Sequence, residues 1–68
     1  MSDTTAKLNA AADTYIAAAS DERRTMAFMA VMEWLSCSYE EEGYTAEQMN
    51  QMDIESASLE FIERRRSR

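Results

Sequence analysis

Hydrophobic residues recur along this chain at the spacing of amphipathic helices, and no segment shows the alternation of a strand. The first segment runs from Asp3 to about Ala19, with Ser2 or Asp3 available as its N-cap. At about 100° per residue its apolar face consists of Leu8, Ala12, Tyr15, Ile16 and Ala19. Seven alanines favour helix strongly but bury little surface each. The pattern predicts a thin first helix that another helix can approach closely.

The second segment, from about residue 21 to 41, has the clearest start signal in the chain. Ser20 can cap the helix, and Asp21 and Glu22 suit the positive end of its dipole. Its main apolar face consists of Phe28, Val31, Met32, Leu35 and Tyr39, and Met26, Met29, Ala30 and Cys37 lie nearly opposite. A helix that is apolar nearly all round is buried on most sides. We therefore expect the other helices or a second chain to cover it.

The third segment follows Gly43, the only glycine and a good left-handed C′ residue for the second helix. Thr45 and Gln48 fit a capping box, which predicts a helix that ends near Arg65. Its apolar residues form two stripes about 160° apart, one of Met49, Met52 and Leu59 and the other of Ile54, Ala57 and Phe61. Either the helix breaks near Asp53, which can cap a new turn, or both of its sides are contacted.

The predicted fold is all-α: a small hairpin or bundle of two or three helices with a long central helix, completed by a partner or a second copy. Residues 1–63 form a single helical domain, and residues 64–68 form a basic C-terminal tail. The boundary between the first and second helices stays open, because no Gly or Pro stops the first segment before Ser20. A continuous helix from residue 3 to about 41 is the alternative.

Composition adds a conflict to this picture. Leu, Ile, Val and Phe number only nine of 68 residues, and the net charge is −6, a combination typical of disorder. The helical periodicity argues against disorder, because Met, Ala and aromatic residues complete the apolar faces. The resulting core is thin, which favours a folded piece that another molecule completes.

The residue inventory argues against most site chemistry. The chain has no His and a single cysteine, Cys37, which excludes an intrachain disulfide and the usual zinc sites. No EF-hand loop, Glu-x-x-His pair or Gly-rich phosphate loop is present. The densest apolar stretch, residues 26–35, is half the length that spans a bilayer, and the N-terminus is acidic where a signal peptide is basic. We expect a cytoplasmic protein that is not an enzyme and uses no cofactor, metal or membrane.

Acidic residues concentrate in the second half of the chain, where Glu40 to Glu63 includes eight carboxylates and no basic residue. They predict a patch for a basic partner, and carboxylates along a helix can also imitate duplex phosphates and occupy a nucleic-acid site. The candidate residues of this patch are Glu40, Glu41, Glu42, Glu47, Asp53 and Glu55. A solvated surface that keeps a small protein soluble is the simpler interpretation.

The apolar candidates for partner contact are Met26, Met29, Trp34, Ile54 and Phe61. Trp34 is included because aromatic side chains dominate both cores and interfaces. The methionines at positions 26, 29, 32, 49 and 52 suit an adaptable binding surface. Their helical spacing nevertheless favours core filling.

The last five residues include four arginines, Arg64, Arg65, Arg66 and Arg68. Arginine forks onto phosphate, so this cluster is a candidate nucleic-acid contact. The competing interpretation is structural, because cations suit the last turn of a helix and Glu60 lies four residues before Arg64. Without interleaved aromatic residues, and with a net charge of −6, nucleic-acid binding is the weaker hypothesis.

Three functions follow, in order of support. The leading hypothesis is a protein-interaction module, an inhibitor or adaptor that docks on a larger protein. Its composition is analogous to that of small acidic inhibitors made by viruses or mobile elements. A nucleic-acid-associated accessory protein that uses the arginine cluster is the second, and a structural homo-oligomer is the third.

Overall fold

The computed structural model describes residues 3–68 as four helices in a small bundle. The helices are α1 (Asp3–Ala17), α2 (Asp21–Glu41), α3 (Ala46–Asn50) and α4 (Ile54–Arg66). No strand occurs in this range, so the all-α prediction with a long central helix is confirmed. The bundle has four helices because the predicted third segment is divided in two. Ser2, one of the two candidate caps of α1, lies outside the described residues.

α1 and α2 are separate helices joined by a three-residue turn. Ser20 has an extended backbone (φ −140°, ψ 158°), and its Oγ accepts a hydrogen bond from the Arg23 backbone N–H at 3.2 Å. This bond satisfies one of the free N–H groups at the start of a helix. The predicted cap is confirmed. The alternative of one continuous helix is wrong, because an extended residue interrupts it.

The core lies where α1 and α2 face each other and α4 packs against both. Its buried residues are Leu8, Ala11, Ala12, Val31, Leu35 and Ile62. Phe28 and Tyr39 pack around this cluster as half-buried residues, which confirms the predicted inward face of α2. Ile16 and Ala19, assigned to the inward face of the first helix, are exposed: Ile16 lies in the last turn of α1, and Ala19 lies beyond its end.

α2 ends in a Schellman turn at Gly43, whose φ is +100°. The Gly43 N–H donates to the Glu40 carbonyl at 3.0 Å, and the Tyr44 N–H donates to the Tyr39 carbonyl at 3.0 Å. The Tyr44 ring packs on the Tyr39 ring, with centroids 5.1 Å apart. The predicted left-handed residue is confirmed, and the turn sets the direction in which the chain leaves α2.

A second cap, Asp53, separates α3 from α4. Asp53 Oδ1 accepts from the Ser56 backbone N–H at 3.0 Å, and Oδ2 accepts from the Ser56 hydroxyl at 2.7 Å. α3 opens with the predicted capping box between Thr45 and Gln48. The break near Asp53 is confirmed, and the alternative of one helix with two opposed stripes is wrong.

α4 buries two residues, Ser58 and Ile62, that belong to neither predicted stripe. Ile62 is 1% exposed, and Ser58 is fully buried. The Ser58 Oγ has no hydrogen-bond partner among residues 3–68. A hydroxyl in the middle of the inward face interrupts the apolar pattern of α4, which explains why the sequence did not reveal Ile62.

Candidate protein-binding surface

The outward side of α2 presents two exposed methionines. Met26 is 65% exposed and Met29 is 60% exposed, more than any other large apolar residue of the described range. At about 100° per residue both lie roughly opposite Val31, which is fully buried. The interpretation that the methionines fill the core is therefore wrong for these two, whereas Met32, Met49 and Met52 are half-buried. Exposed, adaptable apolar side chains are typical of a docking surface.

Three glutamates lie on the same side of α2 as the two methionines. The five residues span about 60° around the helix axis, and we call them the α2 outer face: Glu22, Met26, Met29, Glu33 and Glu40. All three glutamates are exposed. Within residues 3–68, none of them forms an ion pair.

Glu22 and Glu33 were not among the predicted surface residues. The prediction rested on the order of acidic residues in the chain, and these two lie before the acidic segment that begins at Glu40. The helical angle was the signal that would have found them, because it brings residues 22 and 33 beside the two methionines.

The six predicted acidic residues do not form one patch. The C-terminal end of α2 carries Glu40, Glu41 and Glu42. Glu55 instead borders a groove beside Asp21, which lies at the N-terminal end of α2. The 21 residues of α2 separate these ends by about 30 Å. Glu47 lies in the first turn of α3.

Two of the six acidic residues have structural partners. Glu41 accepts a hydrogen bond from the hydroxyl of Thr4, which ties the end of α2 to the start of α1. Asp53 caps α4, and the Ser56 backbone N–H holds the pKa of its carboxyl below the ordinary value. These two carboxylates stabilise the fold itself.

The predicted apolar candidates do not share one surface either. The Lys7 ammonium lies over the Trp34 ring, 4.7 Å from its centroid, and the half-buried Trp34 packs against the core. Phe61 also packs against the core. Ile54 is half-buried in the first turn of α4. Only the two methionines of α2 combine high exposure with a common helix face.

A groove of about 310 Å³ opens beside the N-terminal end of α2. The rings of Tyr15 and Phe28, with centroids 6.0 Å apart, line it together with Leu59, which is 46% exposed. Its polar lining consists of Asp21, Arg24, Thr25 and Glu55, and Arg24 Nη1 lies 2.6 Å from Asp21 Oδ1. Both signs of charge meet here, so the lining does not select a ligand class.

α4 continues through Arg66, so three of the four tail arginines belong to its last turn. Arg65 binds Asp13 of α1 through Nε and Nη2. The other two form pairs within α4, Arg64 with Glu60 and Arg66 with Glu63. The predicted pair between residues 60 and 64 is therefore confirmed. Three of the four guanidinium groups of the tail therefore pair with carboxylates of the same chain.

The part of the chain that the structure describes shows no metal-ligand cluster and no membrane-spanning helix. No three His, Cys, Asp or Glu side chains converge there as metal ligands. No helix of residues 3–68 has both the length and the apolar character needed to cross a membrane. Cys37 is half-buried and unpaired with another cysteine.

No protein-family model, curated protein or solved structure matches this chain. Function is therefore inferred from the surfaces described above. Among them, the α2 outer face combines exposed apolar area with unneutralised charge.

Proposed function

We propose that this protein is a non-catalytic interaction module, an inhibitor or adaptor that docks on a larger protein through the α2 outer face. The observation that carries the proposal is the exposure of Met26 and Met29, 65% and 60%, on a helix whose opposite side forms the core. Fully burying a methionine side chain contributes about 1.5–3 kcal/mol. A partner that covers both therefore gains a substantial part of its binding free energy from them.

The fold presents this face on a rigid element. α2 packs against α1 and α4, and its N-terminus is capped by Ser20. A helix held in this way binds without first paying the entropy of folding, which preserves affinity. The methionine side chains themselves stay adaptable, which suits contact with a surface of irregular shape.

The two alternative functions receive less support from the same contacts. Contact with nucleic acid through the tail would have to break or share the ion pairs of Arg64, Arg65 and Arg66. A homo-oligomer built on the α2 outer face would bring glutamates of the two copies together, which is unfavourable.

The test compares the wild-type chain with the Met26→Gln/Met29→Gln variant as bait. Glutamine keeps helix propensity close to that of methionine but removes the apolar surface. A matched control, Ile16→Gln/Leu59→Gln, changes two other exposed apolar residues, 37% and 46% exposed, on α1 and α4. Affinity capture from native host lysate with mass spectrometry identifies bound proteins, and sedimentation velocity measures self-association.

We expect a protein captured by the wild-type chain to be lost with the methionine variant and retained by the control. Thermal melts of all three chains verify that each remains folded. Equal capture by both variants would contradict the proposal. Self-association that the methionine variant abolishes, without any captured protein, would assign the face to a second copy instead.

A further inference from the structure

We infer that the α2 outer face accepts a basic amphipathic helix of its partner, an inference that rests on the proposed docking function. Its two methionines are one turn apart, and its glutamates lie on both sides of them along the helix. From Glu22 to Glu40 the face extends over 18 residues, or about 27 Å. A complementary surface therefore has an apolar centre and cations toward both ends.

Among residues 3–68, no cation pairs with the carboxylates of this face. Most cationic side chains of the described residues already have partners. Lys7 lies over the Trp34 ring, and Arg24 pairs with Asp21. Arg64 pairs with Glu60, Arg65 with Asp13, and Arg66 with Glu63. Arg23 lies about 60° or more around α2 from the five residues, and Arg68 lies beyond the end of α4. A partner must supply the cations that neutralise Glu22, Glu33 and Glu40.

A helix is the element that matches this shape. The face is a narrow stripe along one straight helix, and two helices that pack side by side contact each other along such stripes. Apolar residues at positions i and i+3 or i+4 of the partner helix would cover the methionines. Lysine or arginine residues one to three turns away on either side would reach the glutamates.

Charge excludes a second copy and a nucleic acid as the preferred occupant. In an antiparallel pair of α2 helices Glu22 faces Glu40, and in a parallel pair Glu33 faces its own copy. Juxtaposed like charges cost binding free energy and disfavour that partner. Nucleic-acid phosphates meet the same repulsion.

The test uses three synthetic helical peptides of about 20 residues with identical leucines for the apolar stripe. They differ only at the flanking positions, which are all Lys, all Gln or all Glu, three residues of similar helix propensity. Titration calorimetry with the full chain gives each Kd at about 50 and 300 mM salt. We expect the Lys peptide to bind about tenfold tighter than the Gln peptide at low salt, with the difference largely lost at high salt because salt screens exposed charges.

A pair of matched variants locates the attraction on the chain. Glu22→Gln/Glu33→Gln/Glu40→Gln removes the three charges of the α2 outer face, and Glu42→Gln/Glu47→Gln/Glu55→Gln removes three exposed charges elsewhere. Both variants change the net charge equally. We expect the first to weaken Lys-peptide binding about tenfold and the second to change it less than about twofold.

Four outcomes would overturn the basic-helix inference: no binding of the Lys peptide, equal affinity for all three peptides, an equal effect of both glutamate variants, or dimerisation through this face. Equal affinity for all three peptides is still compatible with the docking function, provided that Met26→Gln/Met29→Gln weakens peptide binding. If that methionine variant binds peptides and lysate proteins as the wild-type chain does, the docking function itself fails.

Discussion

Arg65 of α4 holds Asp13 of α1 through two hydrogen bonds between residues that are 52 positions apart in the chain. Nε donates to Oδ1 at 2.6 Å, and Nη2 donates to Oδ2 at 3.0 Å. This fork is the geometry that a guanidinium offers to a carboxylate. The hydrogen bond from Arg65 holds the pKa of Asp13 below its ordinary value of 3.8. The pair therefore ties the end of α4 to α1.

Replacing Asp13 with asparagine should lower the melting temperature near neutral pH, because the pair with Arg65 is lost. The pKa of Asp13 is lower in the folded chain than in the unfolded chain. Its contribution is therefore fully present above pH of about 4 and is lost as the pH falls through the folded-state pKa. Thermal melts between pH 7 and pH 2 should show the melting temperatures of wild type and Asp13→Asn converging as the pH falls.

A control separates this pair from ordinary surface charge. Glu63→Gln removes the local pair with Arg66 inside α4, at side chains 65% and 50% exposed. Such pairs contribute little, so this melting temperature should scarcely change. If the melting temperatures of wild type and Asp13→Asn differ by the same amount at every pH, the carboxylate charge is not the cause of the destabilisation.

Ser58→Ala should stabilise the protein. The Ser58 hydroxyl is fully buried and has no partner among residues 3–68, and an unsatisfied buried hydroxyl costs about 1–3 kcal/mol. Alanine removes the hydroxyl and also has a higher helix propensity. Urea unfolding should give a gain of about 1 kcal/mol or more. Ser36→Ala is the control, because the Ser36 Oγ donates to the Met32 carbonyl at 2.9 Å and its gain should be smaller.

Gly43→Ala should destabilise the chain although the space around Gly43 is open. A Cβ at this position would meet nothing within 4 Å, so the cost arises from the φ of +100° alone. An L-residue held in the left-handed region costs about 1–2 kcal/mol. A chain of 68 residues is accessible to chemical synthesis, and D-alanine, which accepts positive φ, should restore most of the loss. Equal destabilisation by both alanines would contradict this explanation.

Ile62→Ala and Leu59→Ala should differ sharply although the two residues are one helical turn apart. Ile62 is 1% exposed, and truncating such a core residue costs about 2–5 kcal/mol. Leu59 is 46% exposed, and its truncation should cost about 1 kcal/mol or less. Denaturant unfolding of the two variants measures both values. Similar losses would mean that α4 packs with a different face toward the core.

The starts of α2, α3 and α4 could be predicted from the sequence because the signals at them are local. Ser20, Thr45 and Asp53 each cap a helix by bonding to the backbone three residues later, so each motif is visible in four consecutive letters. The inward face of α4 was not visible in this way. It depends on the restart of the helix at Asp53 and on packing against distant parts of α1 and α2.

The candidate surface was predicted only in part. Met26 and Met29 were correctly placed opposite the main apolar face of α2, but core filling was the favoured interpretation, since a sequence does not show how many neighbours a helix has. The acidic residues were grouped by chain order, but Glu40 lies at the C-terminal end of α2 whereas Glu55 borders the groove beside Asp21. The engagement of Arg65 by Asp13 is a long-range contact that no local motif announces.

The short helix α3 determines where the chain can unfold locally. None of residues 44–53 is buried, and the main tertiary contact of α3 is with α2. Its five-residue length leaves few hydrogen bonds to break. This segment can therefore unfold by itself while the core cluster of α1, α2 and α4 stays intact, so that the chain has a local unfolding unit distinct from its global one. Backbone amides there should exchange with solvent at a free energy well below that of the core, and we expect the segment to tolerate an insertion better than the core helices.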